Sequence, residues 1–108
     1  MKLDEFKQKA ELAKDDERYK IYDYKMERIV VSLTELHPHQ ETRGHNHPGI
    51  EEVYYFIEGK GKIQVGEKVM EVEEGDIILI SDGKFHKVFN PNNGELKFFA
   101  IFEKYERK

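Results

Sequence analysis

From Met26 onward the chain is a series of short apolar stretches, each closed within a few residues by glycine or charged turn residues. MERIVVSLTEL, EEVYYFIEG, KGKIQVG, EKVMEV, IILI, FHKVFN and LKFFAIFEKY are rich in β-branched and aromatic residues, which suit a pleated, half-buried surface. EEGD, SDGK and PNNGE separate the later stretches and carry turn chemistry. Strands this short at this spacing predict an all-β fold, either a sandwich or a closed barrel. Ile29, Val31 and Leu33 share one face of their strand. YYFI, IILI and FFAIF are apolar on both faces, so one face fills an interior and the other needs a cover.

Upstream, Leu3, Phe6, Ala10 and Ala13 fall at i, i+3, i+7 and i+10 with charges between them, which predicts an amphipathic helix over residues 3–14. DDERYK breaks that pattern and IYDY opens a strand-like texture, dividing the chain into a helical arm, 1–20, and a β-barrel, 21–108. A chain of 108 residues has room for one hydrophobic core. The arm either packs on its own barrel or docks on a partner subunit. The two-faced strands ask for more cover than one short helix provides, so a homodimer is expected.

Charge and composition narrow the function. Acidic residues number 22 against 18 basic ones, and the two kinds are interspersed. No basic stripe invites nucleic acid, and a net charge of −4 does not attract the chain to an anionic membrane. MKLDEFKQKAELAK lacks the apolar core of a signal peptide and no apolar run reaches membrane-spanning length, so a cytoplasmic location is expected. The absence of cysteine rules out disulfides and thiol catalysis.

The chemistry gathers in HNHPGIEEVYYFIEG, His45 to Gly59. Two histidines at i, i+2 would point about 200° apart on a helix, but they share a side on an extended segment. Glu52 opens VYYFI and shares a face with Tyr54 and Phe56, whereas Glu51 shares the opposite face with Val53 and Tyr55. Two imidazoles and a carboxylate without a thiolate suit a divalent transition metal. His86, on the same face of FHKVFN as Val88, is a further histidine for the set.

These residues resemble the two motifs of the cupin superfamily. The first motif is Gly, five residues, His-x-His, three or four residues, Glu, six residues, Gly; His45, His47, Glu52 and Gly59 match it. The second is Gly, five residues, Pro-x-Gly, two residues, His, three residues, Asn; Gly75, Gly83, His86 and Asn90 match it. His39 stands where the first motif opens on Gly, and Ser81 where the second has Pro. The resemblance covers roughly residues 26–103 and is to small single-domain members, phosphomannose-isomerase-like and germin-like. It implies a double-stranded β-helix, or jelly-roll barrel, in which His45, His47, Glu52 and His86 surround one divalent metal. The ligand types admit Mn, Fe, Co, Ni, Cu or Zn and do not choose among them. Four protein ligands on an ion that accepts six leave two positions for water or a small-molecule substrate.

The resemblance to phosphomannose isomerase makes metal-dependent isomerisation or epimerisation of a sugar or sugar phosphate the first expectation. The metal would polarise a carbonyl and stabilise an enediolate, and Tyr54 is the candidate for proton transfer. Two alternatives stay open: a non-haem metal dioxygenase, and a non-catalytic barrel that binds a small ligand through its metal. Arg43, Lys84 and Lys87 lie beside the ligands in sequence and are candidates for holding a phosphate or carboxylate. His37 and His39 flank Pro38 either as a second metal site or as incidental loop histidines. Asn90 is expected to hold the turn before Pro91.

Overall fold

The computed structural model describes residues 1–81 and 83–104. Its elements in chain order are α1 (Leu3–Lys9), β1 (Glu11–Asp15), β2 (Tyr19–Lys25), β3 (Ile29–Leu36), β4 (Glu52–Glu58), β5 (Lys60–Val65), β6 (Lys68–Glu73), β7 (Ile77–Ile80), β8 (His86–Phe89) and β9 (Leu96–Glu103). Every apolar stretch predicted downstream of Met26 forms a strand. Two parts of those predictions, Asp82 in the SDGK turn and Tyr105 at the end of the last stretch, lie outside the described residues, as do residues 106–108 of the barrel segment.

The strands form two antiparallel sheets, one ordered β1-β2-β3-β9-β4-β7 and one ordered β6-β5-β8. Residues 40–45 run along β8 and extend the smaller sheet through bridges from Glu41 to Phe89 and from His45 to His86. The core lies between the sheets. Leu36, Phe56, Phe98, Leu96 and Ala100 come from the larger one, and Ile63, Val72 and Val88 from the smaller.

The faces follow the period-two alternation. On β4, Glu52, Tyr54 and Phe56 are buried, whereas Val53 and Tyr55 are exposed. On β3, Val30, Ser32, Thr34 and Leu36 pair with the inward residues Phe102, Ala100, Phe98 and Leu96 of β9. Ile29, Val31 and Leu33 therefore face outward, and part of that outer face is covered in cis by α1. Phe6 packs edge-on against Phe99 with ring centroids 5.2 Å apart, and Lys7 pairs with the buried carboxylate of Glu35.

The helix is shorter than predicted. It ends at Lys9, and Glu11–Asp15 forms an exposed edge strand on β2 rather than two more helical turns. A helix of the predicted length is only marginally stable in water, whereas β2 offers unpaired backbone groups along a whole strand edge. The register shifts between Leu12 and Lys14, which leaves Ala13 as a bulge. Among the described residues, no helix is long and apolar enough to cross a membrane.

Candidate metal centre

The alternation that builds β4 also aims its first residue inward. Glu52 is 5% exposed, pairs across β7 with Ile80 and across β9 with Phe102, and turns its carboxylate into the barrel. Glu51 is exposed, on the opposite face. One ligand atom from each of His45, His47 and Glu52 can be chosen so that all lie within 4.8 Å of one another, close enough for one cation to bridge them.

His86 approaches from the other sheet, beside Glu52 and His45 but outside the group of three whose ligand atoms all lie within 4.8 Å of one another. His45 and His86 are direct cross-strand partners that exchange both backbone hydrogen bonds, His45 N to His86 O at 3.2 Å and His86 N to His45 O at 3.0 Å. That pairing stacks their rings edge-to-face with centroids 4.4 Å apart. His86 Nδ1–H donates to the Lys84 carbonyl at 2.9 Å, which leaves the lone pair on Nε2. Nε2 is buried without a hydrogen-bond partner and lies 3.4 Å from Glu52 Oε2.

A buried imidazole lone pair facing a carboxylate is costly unless a proton or a cation lies between them. A divalent cation shared with His45, His47 and Glu52 meets that need, so the residues present fit a metal. The backbone carbonyl on Nδ1 is the outer partner that fixes the tautomer of a ligating histidine. When bound, such an ion supplies Lewis acidity and open positions for oxygen donors.

A proton competes for the same lone pair. Burial pushes the His86 pKa down, but Glu52 and the Lys84 carbonyl outweigh it, and the net value lies above the ordinary imidazole 6.5. Backbone geometry fixes the facing loop. Gly83 has φ +66°, and a Cβ there would collide with the His47 carbonyl and with Pro48 Cα. The turn before β8 thus sits directly beneath the turn carrying His47, with Gly83 N donating to Ile50 O at 3.1 Å.

The cluster opens into a cavity of about 410 Å³ between the sheets. Beyond His45, His47 and Glu52, its walls include Tyr54, Phe98 and Ala100, the polar residues Ser32, Thr34 and Thr42, and the charged residues Lys14, Asp23 and Arg43; His86 does not line it. Of the three cations proposed from sequence, only Arg43 lines it. Lys87 pairs with Glu41 at 2.6 Å and lies over Phe89, and Lys84 is an exposed residue whose carbonyl serves His86. Sequence reading missed Lys14 and Asp23. Both lie on strands β1 and β2, upstream of the motifs, and Lys14 fell within the predicted helix.

Tyr54 is buried, stacked on Phe98 at 5.2 Å and edge-on to His86 at 5.4 Å. His37 and His39 lie apart from the cluster. His37 Nδ1 meets Glu95 Oε2 at 2.6 Å, and His39 Nε2 meets Asn93 Oδ1 at 2.7 Å. His39 has φ +60°, the left-handed conformation that a motif Gly adopts without strain. Asn90 is buried and donates to the carbonyls of Leu36, His37 and Gly94, so it ties two connections together.

Two antiparallel sheets closing over an internal cluster of histidines and a carboxylate define a double-stranded β-helix. Residues 32–102 match the family model described as a cupin domain, and the chain belongs to the cupin family. Among curated proteins, it is 32% identical over 57 residues to an oxalate-binding protein of Thermotoga maritima, a match covering 53% of this chain and 47% of that one. It is 40% identical over 56 residues to an uncharacterized protein of Methanocaldococcus jannaschii, covering 52% and 45%. The chain thus matches about half the length of these curated relatives. Among solved structures, a Klebsiella pneumoniae protein with a double-stranded β-helix domain superposes with a TM-score of 0.79 at 21% identity, covering 95% of this chain and 87% of that one. A predicted oxalate decarboxylase of Thermotoga maritima superposes with a TM-score of 0.73 at 22% identity, covering 81% of each. At these identities the likeness is one of fold.

Proposed function

We propose that this cupin binds one divalent transition metal through His45, His47, Glu52 and His86 and holds a small carboxylate ligand on it inside the barrel. The observation that carries the metal is the convergence of His45, His47 and Glu52, with the buried Nε2 of His86 3.4 Å from the Glu52 carboxylate. Charge supports an anionic ligand. Lys14 and Arg43 balance Asp23 and Glu52 around the cavity, so a bound divalent ion leaves the lining net positive and draws anions in. A curated relative bearing the name oxalate-binding protein points to the same ligand chemistry.

Isomerisation and oxygenation are two catalytic uses of such a site, and metal identity separates them. Zinc or manganese retained through purification favours isomerisation, with Tyr54 as its candidate proton carrier, and iron favours oxygenation. Silence across a wide panel of substrates favours binding alone. The first experiment is metal analysis of protein purified without added metal, beside His86→Ala. One equivalent in the wild type and a loss of tenfold or more in affinity for the variant are expected. Equal metal content in the two removes His86 from the site.

The natural unit in this reading is a homodimer. Val53, Tyr55, Ile77, Leu79 and Ile101 form an exposed apolar patch on the outer face of β4, β7 and β9, beyond the reach of α1. A second copy of the chain is the occupant proposed for it.

A further inference from the structure

The rim of the cavity carries a lysine that strand geometry has turned toward it. Leu12 and Lys14, two residues apart, would share a face of an unbroken strand. The extra residue Ala13 sets them on opposite faces. Leu12 lies opposite Tyr22, on the outer side where Lys7 of α1 sits over the Tyr22 ring, and it is exposed. Lys14 lies opposite Ile21, which lines the cavity and packs on the core. An edge-strand lysine ordinarily points to water and blunts the edge, but Lys14 lines the cavity instead. It also lies upstream of residues 32–102, outside the matched cupin domain.

A second cation meets it from the other sheet. Residues 40–45 edge the smaller sheet, and the turn between β1 and β2 closes against them: Arg18 Nη1 donates to the Glu41 carbonyl at 2.8 Å. Arg43 follows on that segment and lines the same cavity, two residues before the ligand His45 and so at most about 7 Å from it along the chain. Asp16, in the β1–β2 turn, lies near both cations. Its Oδ1 accepts from the backbone N–H groups of Arg18 and Tyr19 at 2.9 and 3.1 Å. Desolvation pushes its carboxyl up, but those N–H groups and the charges of Arg43 and Lys14 outweigh it and hold the carboxyl below its ordinary range. Among the described residues, neither Lys14 nor Arg43 makes a hydrogen bond or an ion pair through its side chain. Two cations thus converge on one rim of the metal cavity with their donors uncommitted.

We propose that Lys14 and Arg43 form a clamp for a second acid group, so that the ligand is a short dicarboxylate with one carboxylate on the metal and the other at the rim. This rests on the metal-and-carboxylate reading above and adds the groups that choose between a dianion and a monoanion. Charge agrees with it. Lys14 and Arg43 cancel Asp23 and Glu52 around the cavity, and a divalent ion adds two positive charges. A dianion restores neutrality, whereas a monoanion leaves one charge uncompensated. Lys14 is then a specificity-determining residue supplied from outside the cupin domain.

The test uses full-length protein loaded with Mn(II) or Zn(II), with the metal affinity of every variant measured first by direct titration. Calorimetry then compares malonate with malonamate, which has the same length but one acid group replaced by a neutral amide. The wild type should prefer malonate. Part of that preference comes from the metal itself, so the variants carry the decision. Lys14→Met and Arg43→Met should each reduce the malonate preference roughly tenfold, the low end for a hydrogen bond to a charged group. Lys14→Arg, which keeps the charge, should retain it. Both residues are exposed, so the variants should melt with the wild type and bind metal equally. A malonate preference unchanged in either Met variant overturns the clamp. So does equal weakening of both ligands, which marks a general field, or a loss in Lys14→Arg as large as in Lys14→Met. Metal-loaded wild type that binds malonamate but shows no preference for malonate overturns this inference alone. Wild type that takes no metal, or takes metal and binds neither ligand, overturns the reading beneath it as well.

Discussion

At the scale of single residues, the centre is a contest for one lone pair. His86 Nδ1–H is committed to the Lys84 carbonyl, so Nε2 takes either a proton shared with Glu52 or a metal. Its pKa is raised, so in the metal-free protein the protonated pair adds stability that is fully present below about pH 6.5, the unfolded value. That stability is lost as the pH rises through the folded value. Metal has the opposite dependence, because a ligating imidazole must be neutral. Metal affinity should therefore fall roughly tenfold per pH unit below the folded His86 pKa for each proton displaced. The rise in melting temperature on adding Zn(II) should be small at acid pH and grow into the alkaline range. A thermal shift that does not change with pH contradicts the assignment of Nε2 as a ligand atom. The sequence made this residue visible through spacing alone, since the step from His86 to Asn90 repeats a known pattern. It could not reveal that a backbone bridge to His45 holds the two rings together. It marked His39 as standing at the motif's glycine position, but not that the fold keeps the left-handed turn there although the residue is not glycine.

At the scale of elements, strands were readable where side-chain chemistry decides the local structure and unreadable where a neighbour decides it. VYYFI and FFAIF carry β-branched and aromatic residues in a period-two pattern, and β4 and β9 appear where that pattern lies. AELAK has the composition of a helix, yet it pairs with β2, because hydrogen bonds offered by a strand edge outweigh a few tenths of a kcal/mol per residue of intrinsic preference. Losing β1 to a predicted helix hid Lys14 from the list of cavity residues. Asp23 was hidden for a related reason, since IYDYK gives no sign of which face looks inward until its pairing with β3 is known. What remains of the helix has a definite task. Phe6 lies against Phe99 and within 6.4 Å of the Tyr24 ring, so α1 shields the outer face above β3 and β9. Phe6→Ala should cost about 1.5–3 kcal/mol, the value of burying one such side chain. Urea unfolding would register this as a lower midpoint at unchanged slope, with metal affinity intact. An unaltered midpoint contradicts the packing of α1 on its own barrel.

At the scale of the whole molecule, the outer face is divided in two. α1 covers the half near β3, and the half near β7 is bare, with Ile77 61% and Leu79 74% exposed. β7 is also an edge strand, so unsatisfied backbone groups and apolar side chains occur at the same place. Five side chains alone bury less than the roughly 800 Å² per partner of a stable interface. In the proposed dimer, backbone pairing between two β7 strands, running antiparallel across a two-fold axis, would supply the rest and make one continuous sheet. The ends of β7 suit that arrangement. Exposed Glu74 precedes the strand and exposed Lys84 follows it, so antiparallel pairing sets the acidic end of each copy near the basic end of the other. Leu79 faces away from the cavity, so replacing it tests the interface without touching the metal centre. The wild type should sediment as a dimer at micromolar concentration. Leu79→Lys should sediment as a monomer, because two lysines would meet near the axis on an apolar surface. The variant should keep the far-ultraviolet spectrum and metal stoichiometry of the wild type. A variant that remains dimeric places the interface elsewhere, and a monomeric wild type leaves the β7 face for a different partner.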